Sequence, residues 1–349
     1  MSNQSLGTSP FSDLEIAHDL GRGMGTMFRR REKESIIRLF YAGDVHGSRV
    51  CWKKFVNAAA HYPADALVMS GDLTGKALAP IVRGDDGAYR ARVIGEERVA
   101  RTAAELDQMQ AAISTNGMYP LIVDEEEARR LEADESRREA AFERALLEEL
   151  RLWVRLADER LAGSGARAYV IPGNDDPWSI DEVLAAGSSV VACDERIEVV
   201  GSHEMVSLGY SNRTPWKTPR ELDEEEIYAR LKRLTEQLEN PQRAILNIHV
   251  PPWESSLDTA FEVDEELRYV TKGGRPHEVP TGSQAVRQII EETQPVLSLH
   301  GHIHESKGVT KIGRTVAINP GSDYGSGHLD GCLVHLAAER VVGQYLVSG

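Results

Sequence analysis

Seven residues of metal-binding type recur along the chain in short, turn-like contexts. Asp44 and His46 lie in AGDVHG, Asp72 in SGDLTG, Asn174 in PGNDD, His249 in NIHVPP, and His302 and His304 in HGHIHES. Nearly every block follows a short apolar run and carries a Gly or a turn, the pattern of a strand passing into a loop. Ligands at the ends of neighbouring strands can converge on one point. Seven nitrogen and oxygen donors suffice for two divalent cations. Two such ions, roughly 3.5–4 Å apart, clamp the attacking and leaving oxygens of a phosphate. A donor set without thiolate suits Mn, Fe, Ni, Co or Zn and argues against Fe–S or Cu(I) centres. Taken singly, each residue has a plainer reading. An Asp at a strand end is usually a turn former, a lone His such as His249 is more often a satisfied core residue, and Asn174-Asp175 is a common turn pair. Those readings leave the joint order and the flanking glycines unexplained.

The elements that must position these blocks alternate strand and helix. IIRLFYA is an apolar run ending at Gly43-Asp44, CWKKFVNAAAHY reads as a helix, and ALVMS as a buried strand ending at Gly71-Asp72. That is a βαβ unit and argues for an α/β sheet. Residues 75–165 interrupt it as an accessory insert. Residues 75–95 could form a small hairpin, with a cap over the site as its sharper reading. Residues 125–161 read as one continuous amphipathic helix packing on the sheet, with Phe142, Leu146, Leu150, Trp153 and Ala157 on one face. The core resumes with ARAYVIPGND. Two short strands follow in 190–209, a charged helix in 220–240, the strand RAILNIH, a long polar loop at 253–282, the helix SQAVRQIIEETQ and the strand PVLSLHGHIH. The tail alternates strand-like pieces and Gly-rich turns. Residues 1–34 are a polar extension, and 35–349 form the main domain. Gly21, Gly23 and Gly25 in that extension follow no strand and do not match a dinucleotide fingerprint.

Composition bounds the rest. Apolar content of 41% and charged content of 27% are globular values. A net charge of −15 disfavours binding to long nucleic acids without excluding a local basic groove. Cys51, Cys193 and Cys332 are far apart and odd in number, so they form neither a disulfide framework nor a C-x-x-C metal pair. No run is apolar enough to span a bilayer and the N-terminus has no signal core, which leaves the cytoplasm as the simplest location and no membrane partner.

The ordered series D-x-H, G-D, G-N-x-D, H, G-H-x-H resembles the calcineurin-like metallophosphoesterase superfamily from about Asp44 to the C-terminus, the insert apart. GDLTGKA, PGNDD, GHIHES and NPGSDYGSG further resemble a bacterial and archaeal subgroup of predicted phosphoesterases related to cyclic-AMP phosphodiesterase. The resemblance implies a four-layer α/β/β/α sandwich of two mixed sheets with the metals at the loop rim. It implies that Asp44 and His46 bind the first metal, that Asp72 bridges both, and that Asn174, through its side-chain oxygen, and His249 bind the second. His302 would join the second metal and His304 the first. A water or hydroxide between the ions would attack phosphorus in line. The expected cofactors are two divalent cations, Mn²⁺ first, with Fe, Ni, Co or Zn as alternatives. The expected partner is a small phosphate ester, a nucleotide among the candidates. Phosphodiester hydrolysis is the leading activity. A phosphomonoesterase, a nuclease and a metal-binding scaffold without catalysis are the alternatives. For the nuclease, a basic stripe through Arg213, Lys217, Arg220, Lys272 and Arg275 is the feature to look for.

Asp72, Asn174, Asp175 and His249 are the residues expected to carry catalysis. Asp175 departs from the family pattern, in which many members have G-N-H-D with a histidine thought to protonate the leaving group or steady the phosphate. A carboxylate beside two metals is a poor general acid, which predicts a bias toward diesters or good leaving groups. Asp176 and His300 are candidates for holding a ligand from behind, and Asn212 and Arg213 for reaching a phosphate. The turn at 319–327 is expected to pack under the site without acting in it. The remaining histidines, His18, His61, His203, His277, His328 and His335, have no ligand-like neighbours and read as structural.

Overall fold

The computed structural model describes residues 35–264 and 266–349. The expected extension at 1–34 lies outside them. Two six-stranded sheets carry the fold. The first runs Arg340–Ser348, Asp330–Ala337, Ile37–Ala42, Ala66–Met69, Arg167–Val170, Val190–Ala192. The second runs Gly308–Ile312, Thr315–Asn319, Leu297–Leu299, Ile245–Ile248, His203–Leu208, Ile197–Val200. Each is mixed: the central strands pair in parallel, and antiparallel strands finish one or both edges.

Period-two alternation sorts the side chains into layers. From the first sheet, Leu39, Tyr41, Ala66 and Val68 point inward and meet Met205, Ile245, Leu297 and Ile318 of the second. Their neighbours Phe40, Ala42, Leu67 and Met69 point outward, under the helices Arg49–His61 and Glu135–Leu161. On the far side, Val206, Leu246 and Ile248 pack under Glu224–Thr235 and Gln284–Thr293. The result is the α/β/β/α sandwich that the resemblance implies. No helix among the described residues is long and apolar enough to cross a membrane.

The region 125–161 differs from its sequence reading. It is two helices, Glu125–Ala133 and Glu135–Leu161, and not one. Asp134 sits between them in an extended conformation (φ −125°, ψ 105°), and its carboxylate accepts from Arg137 N at 3.1 Å. Asp competes for backbone donors and caps helices well. The apolar spacing runs on through it, so periodicity alone misses the break. Within the second helix, Trp153 stacks on Trp52 at 5.1 Å and 12° and donates from Nε1 to Glu149 at 2.7 Å. Trp52 returns a bond to Trp153 O at 2.9 Å. Trp153→Ala empties this buried seam and is expected to cost about 3–5 kcal/mol in denaturant unfolding. A loss below about 1 kcal/mol would contradict the packing described.

Residues 77–124 hold more than a hairpin. Four strands, in the order Glu96–Ala100, Tyr89–Val93, Ala77–Arg83, Met118–Asp124, are backed by the helix Ala103–Thr115. Ile81, Val93, Met109 and Ile113 are part of a core of their own. Met118–Asp124 pairs in parallel with Ala77–Arg83, a long-range match that sequence patterning does not reveal. The polar loop at 253–282 likewise contains short paired strands, Thr259–Phe261 with Glu278–Pro280 and Thr271–Lys272 with Arg275–Pro276.

Candidate metal centre

All seven sequence-predicted donors stand just beyond the C-terminal ends of parallel strands: Ile37–Ala42, Ala66–Met69, Arg167–Val170, Ile245–Ile248 and Leu297–Leu299. Open α/β sheets present their ligand sites there. The loops are stitched together by backbone bonds. Asp44 N donates to Gly71 O (3.0 Å), His46 N to Asp72 O (2.9 Å), and Gly301 N to His249 O (2.9 Å). Asp44, His46, Asp72 and His302 all adopt positive φ, at 54°, 37°, 50° and 67°. Non-glycine residues in that region carry strain, and such strain concentrates at functional sites.

The side chains converge in two halves. Donor atoms of Asp44, His46 and His304 lie within 4.8 Å of one another, and so do those of Asp72, His249 and His302. His46 Nε2 faces His304 Nε2 at 3.1 Å, and His304 Nε2 is 3.8 Å from Asp44 Oδ1. Asp72 Oδ2 lies 3.6 Å from His46 Nε2 and 3.5 Å from His249 Nε2, between the halves. Asn174 Oδ1 is 2.8 Å from His249 Nε2.

Neighbouring groups set the orientation of these donors. His249 Nδ1 meets Ser70 O at 2.7 Å. A carbonyl only accepts, so Nδ1 carries a hydrogen and Nε2 is the nitrogen turned toward the cluster. Asn174 Nδ2 donates to Thr218 Oγ1 (2.8 Å), which donates to Glu221 (2.8 Å), so the amide turns its oxygen inward. Arg220, only 1% exposed, holds the Asn174 loop. It bonds Asp176 O at 2.9 Å and Asp181 at 2.6 Å, and it stacks 4.2 Å from the Trp178 ring.

The electrostatics of the protein's own groups are unbalanced. Burial pushes His46 and His302 down to about 3, although the Asp72 charge pulls the other way. Burial also opposes charge on His249, but Asp72 outweighs it and lifts that imidazole to about 9. Burial raises Asp44 despite His304 and His249, and it works against the Asp72 charge, which the surrounding imidazoles nevertheless hold well below the ordinary range. Asp44 Oδ2 and His46 Nδ1 are buried with no hydrogen-bond partner. Unpartnered buried acceptors are costly. A cation in the cluster would satisfy the Asp44 oxygen, and the carboxylates, imidazole nitrogens and amide oxygen turned inward fit a two-cation set.

The remaining candidates divide. Asp176 lies behind the Asp72 and Asn174 loops. It accepts from Leu73 N (3.0 Å), Thr74 N (2.8 Å), Thr74 Oγ1 (2.6 Å) and Gly173 N (2.8 Å). His300 bonds Ser298 Oγ at 2.7 Å and the carbonyls of Ile248 and Val250 at 3.1 Å. It ties strands together, and burial pushes it down to about 4. The bonds of Asn212 and Arg213 go elsewhere, to Thr281 O and Gly282 O and to Asp223 respectively. The 319–327 turn packs directly against the cluster. Ser322 Oγ donates to Asp44 O at 2.7 Å, and the Tyr324 ring lies 4.8 Å from His46 and 5.9 Å from His304, so this turn lines the cluster. Asp175 donates its N–H to Asp72 Oδ1 at 3.0 Å and pairs through Oδ2 with Lys76 Nζ at 2.5 Å. Burial and the Asp72 charge push its carboxyl above the ordinary range, against Lys76. Sequence reasoning missed Lys76, Thr218 and Tyr324, and named Arg220 only as part of a basic stripe. For Lys76 the available signal was its place four residues after Asp72 in GDLTGKA.

No family model matches the chain. The uncharacterized protein MJ1162 of Methanocaldococcus jannaschii is 32% identical over 152 residues, which is 43% of this chain and 62% of that protein. The crystal structure of TT1561 of Thermus thermophilus aligns over 90% of this chain and 99% of its own with a TM-score of 0.50 at 16% identity. That likeness establishes fold. The fold is the four-layer α/β/β/α sandwich described above. YfcE, a phosphoesterase from E. coli, aligns over 88% of this chain and 98% of its own, at 12% identity and a TM-score of 0.30, too slight a likeness to carry function across.

Proposed function

We propose that this chain is a dinuclear metal-dependent phosphoesterase of the calcineurin-like superfamily that hydrolyses phosphodiester bonds in a small substrate such as a nucleotide. The observation that carries this reading is Asp72, whose single oxygen Oδ2 lies 3.6 Å and 3.5 Å from imidazole nitrogens of the two halves. Asp44, His46 and His304 would hold one cation, and Asn174, His249 and His302 the other, with Asp72 serving both. When bound, the cations supply Lewis-acid charge to the phosphate oxygens and make a water acidic enough to attack phosphorus in line. Mn²⁺ is the cation we expect first. The chain's own residues do the rest. Ser70 and Thr218 fix the donor atoms of His249 and Asn174, and the buried floor keeps bulk water away from the phosphate.

Asp175, tied to Lys76, accepts and does not donate. The Asp175 carboxylate therefore gives the departing oxygen no proton where relatives carry histidine, which favours diesters with good leaving groups. With Mn²⁺ present, bis-p-nitrophenyl phosphate should be hydrolysed with a higher kcat/KM than p-nitrophenyl phosphate. Monoester activity alone would overturn the substrate class. Asp175→His should raise the monoester-to-diester ratio, and an unchanged ratio would reject the role given to Asp175.

A nuclease reading gains no support. Of the basic stripe, Arg220 is buried, Arg213 pairs with Asp223 and Lys272 sits 3.8 Å from Glu262, which leaves Lys217 and Arg275 as its exposed members outside these pairs.

A further inference from the structure

Lys76 leaves the Asp72 loop where the chain enters the inserted sheet. Its backbone is pinned. Gly75 N donates to the Tyr119 hydroxyl at 2.7 Å, and a Cβ on Gly75 would lie 1.9 Å from Gly117 O. The Lys76 ammonium therefore projects from a fixed base. It stands one carboxylate away from both halves of the centre: Asp175 Oδ2 is 2.5 Å from Nζ and 3.9 Å from His46 Nδ1, while Asp175 N bonds Asp72. The ligand residues are buried except His302 and His304, which are half-buried, whereas the Lys76 side chain is 60% exposed, so its charge faces the mouth of the site. An exposed ion pair stabilises a fold by roughly 0–1 kcal/mol. The main consequence of this pair is where it puts a positive charge. The cation that sequence reasoning offered for that task, Arg213, is engaged by Asp223.

We propose that Lys76, steered by Asp175, binds the nonbridging oxygens of the substrate phosphate and makes the site sensitive to substrate charge. This rests on the phosphoesterase reading. An ammonium is a compact charge with three donors, able to meet phosphate oxygens without taking or giving a proton. A monoester dianion presents more charge to it than a diester monoanion. Loss of Lys76 therefore weakens monoesters and inorganic phosphate more than diesters.

The test compares wild type, Lys76→Gln and Lys76→Arg. It reads kcat and KM for p-nitrophenyl phosphate and bis-p-nitrophenyl phosphate in Mn²⁺, inhibition by inorganic phosphate, and bound metal. In Lys76→Gln the monoester KM should rise, and phosphate inhibition weaken, about tenfold or more, as expected for one charged hydrogen bond. The diester KM should rise less, Lys76→Arg should recover most of the loss, and metal content should not change. A metal-loaded, active Lys76→Gln whose KM values and phosphate inhibition stay within about twofold of wild type would overturn the proposal and leave the phosphoesterase reading standing. Loss of metal from Lys76→Gln would also overturn it, by making the role structural. A wild type that binds no metal pair and cleaves neither ester would overturn both.

Discussion

Asp72→Ala is expected to abolish phosphodiester hydrolysis, lowering kcat/KM by at least about 10³-fold, the upper range for losing a single electrostatic group. The reason is geometric. The other donors each belong to one half, whereas Asp72 Oδ2 stands 3.6 Å from His46 and 3.5 Å from His249. Its removal uncouples the halves and takes away the charge that offsets the surrounding imidazoles. Asp72 Oδ1 also accepts from Asp175 N at 3.0 Å, so the Asn174 loop loses an anchor. Asp72→Asn keeps the shape and gives up the charge. It should lose most of the activity while keeping the fold, and steady-state kinetics beside circular dichroism separates the two effects. Activity within about tenfold of wild type in either variant would remove Asp72 from the centre of the mechanism.

Asp176→Ala is expected to be the most destabilising change near the site, costing at least about 3 kcal/mol in denaturant unfolding. Three backbone N–H groups and the Thr74 hydroxyl would be left buried and unpaired, at about 1–3 kcal/mol each before relaxation. Burial, and then the Asp72 charge, push the carboxyl up to about 6, which offsets part of that loss. The sign of the pH dependence follows. A carboxyl whose pKa is raised in the fold binds its proton more readily folded than unfolded. Its contribution to stability is therefore fullest below about pH 4 and declines as the pH rises through about 6. Metal-free wild type should show that decline, and Asp176→Ala should show a smaller one, the remainder coming from Asp194, which burial also pushes up to about 6.

The metal-type residues were legible because each ends a buried strand, where apolar run and polar turn meet in a few residues. Asp44, Asp72 and His249 needed only local pattern to be found, and the parallel sheets bring them together. The Asp134 break was hidden because helical spacing continues through a capping residue. The pairing of Ala77–Arg83 with Met118–Asp124 was hidden because it spans a helix and two hairpin strands. Lys76 and Tyr324 were missed because their relation to the site is tertiary. Lys76 enters through a pair with Asp175, far along the chain, and Tyr324 through ring contacts with His46 and His304.

The measurement that bears most directly on the centre is metal stoichiometry, by elemental analysis of the protein equilibrated with Mn²⁺ and freed of excess ion. Two ions per chain in wild type, with loss of at least one in Asp72→Ala, is the predicted result. One ion or none in wild type, or two retained without Asp72, would contradict the paired centre.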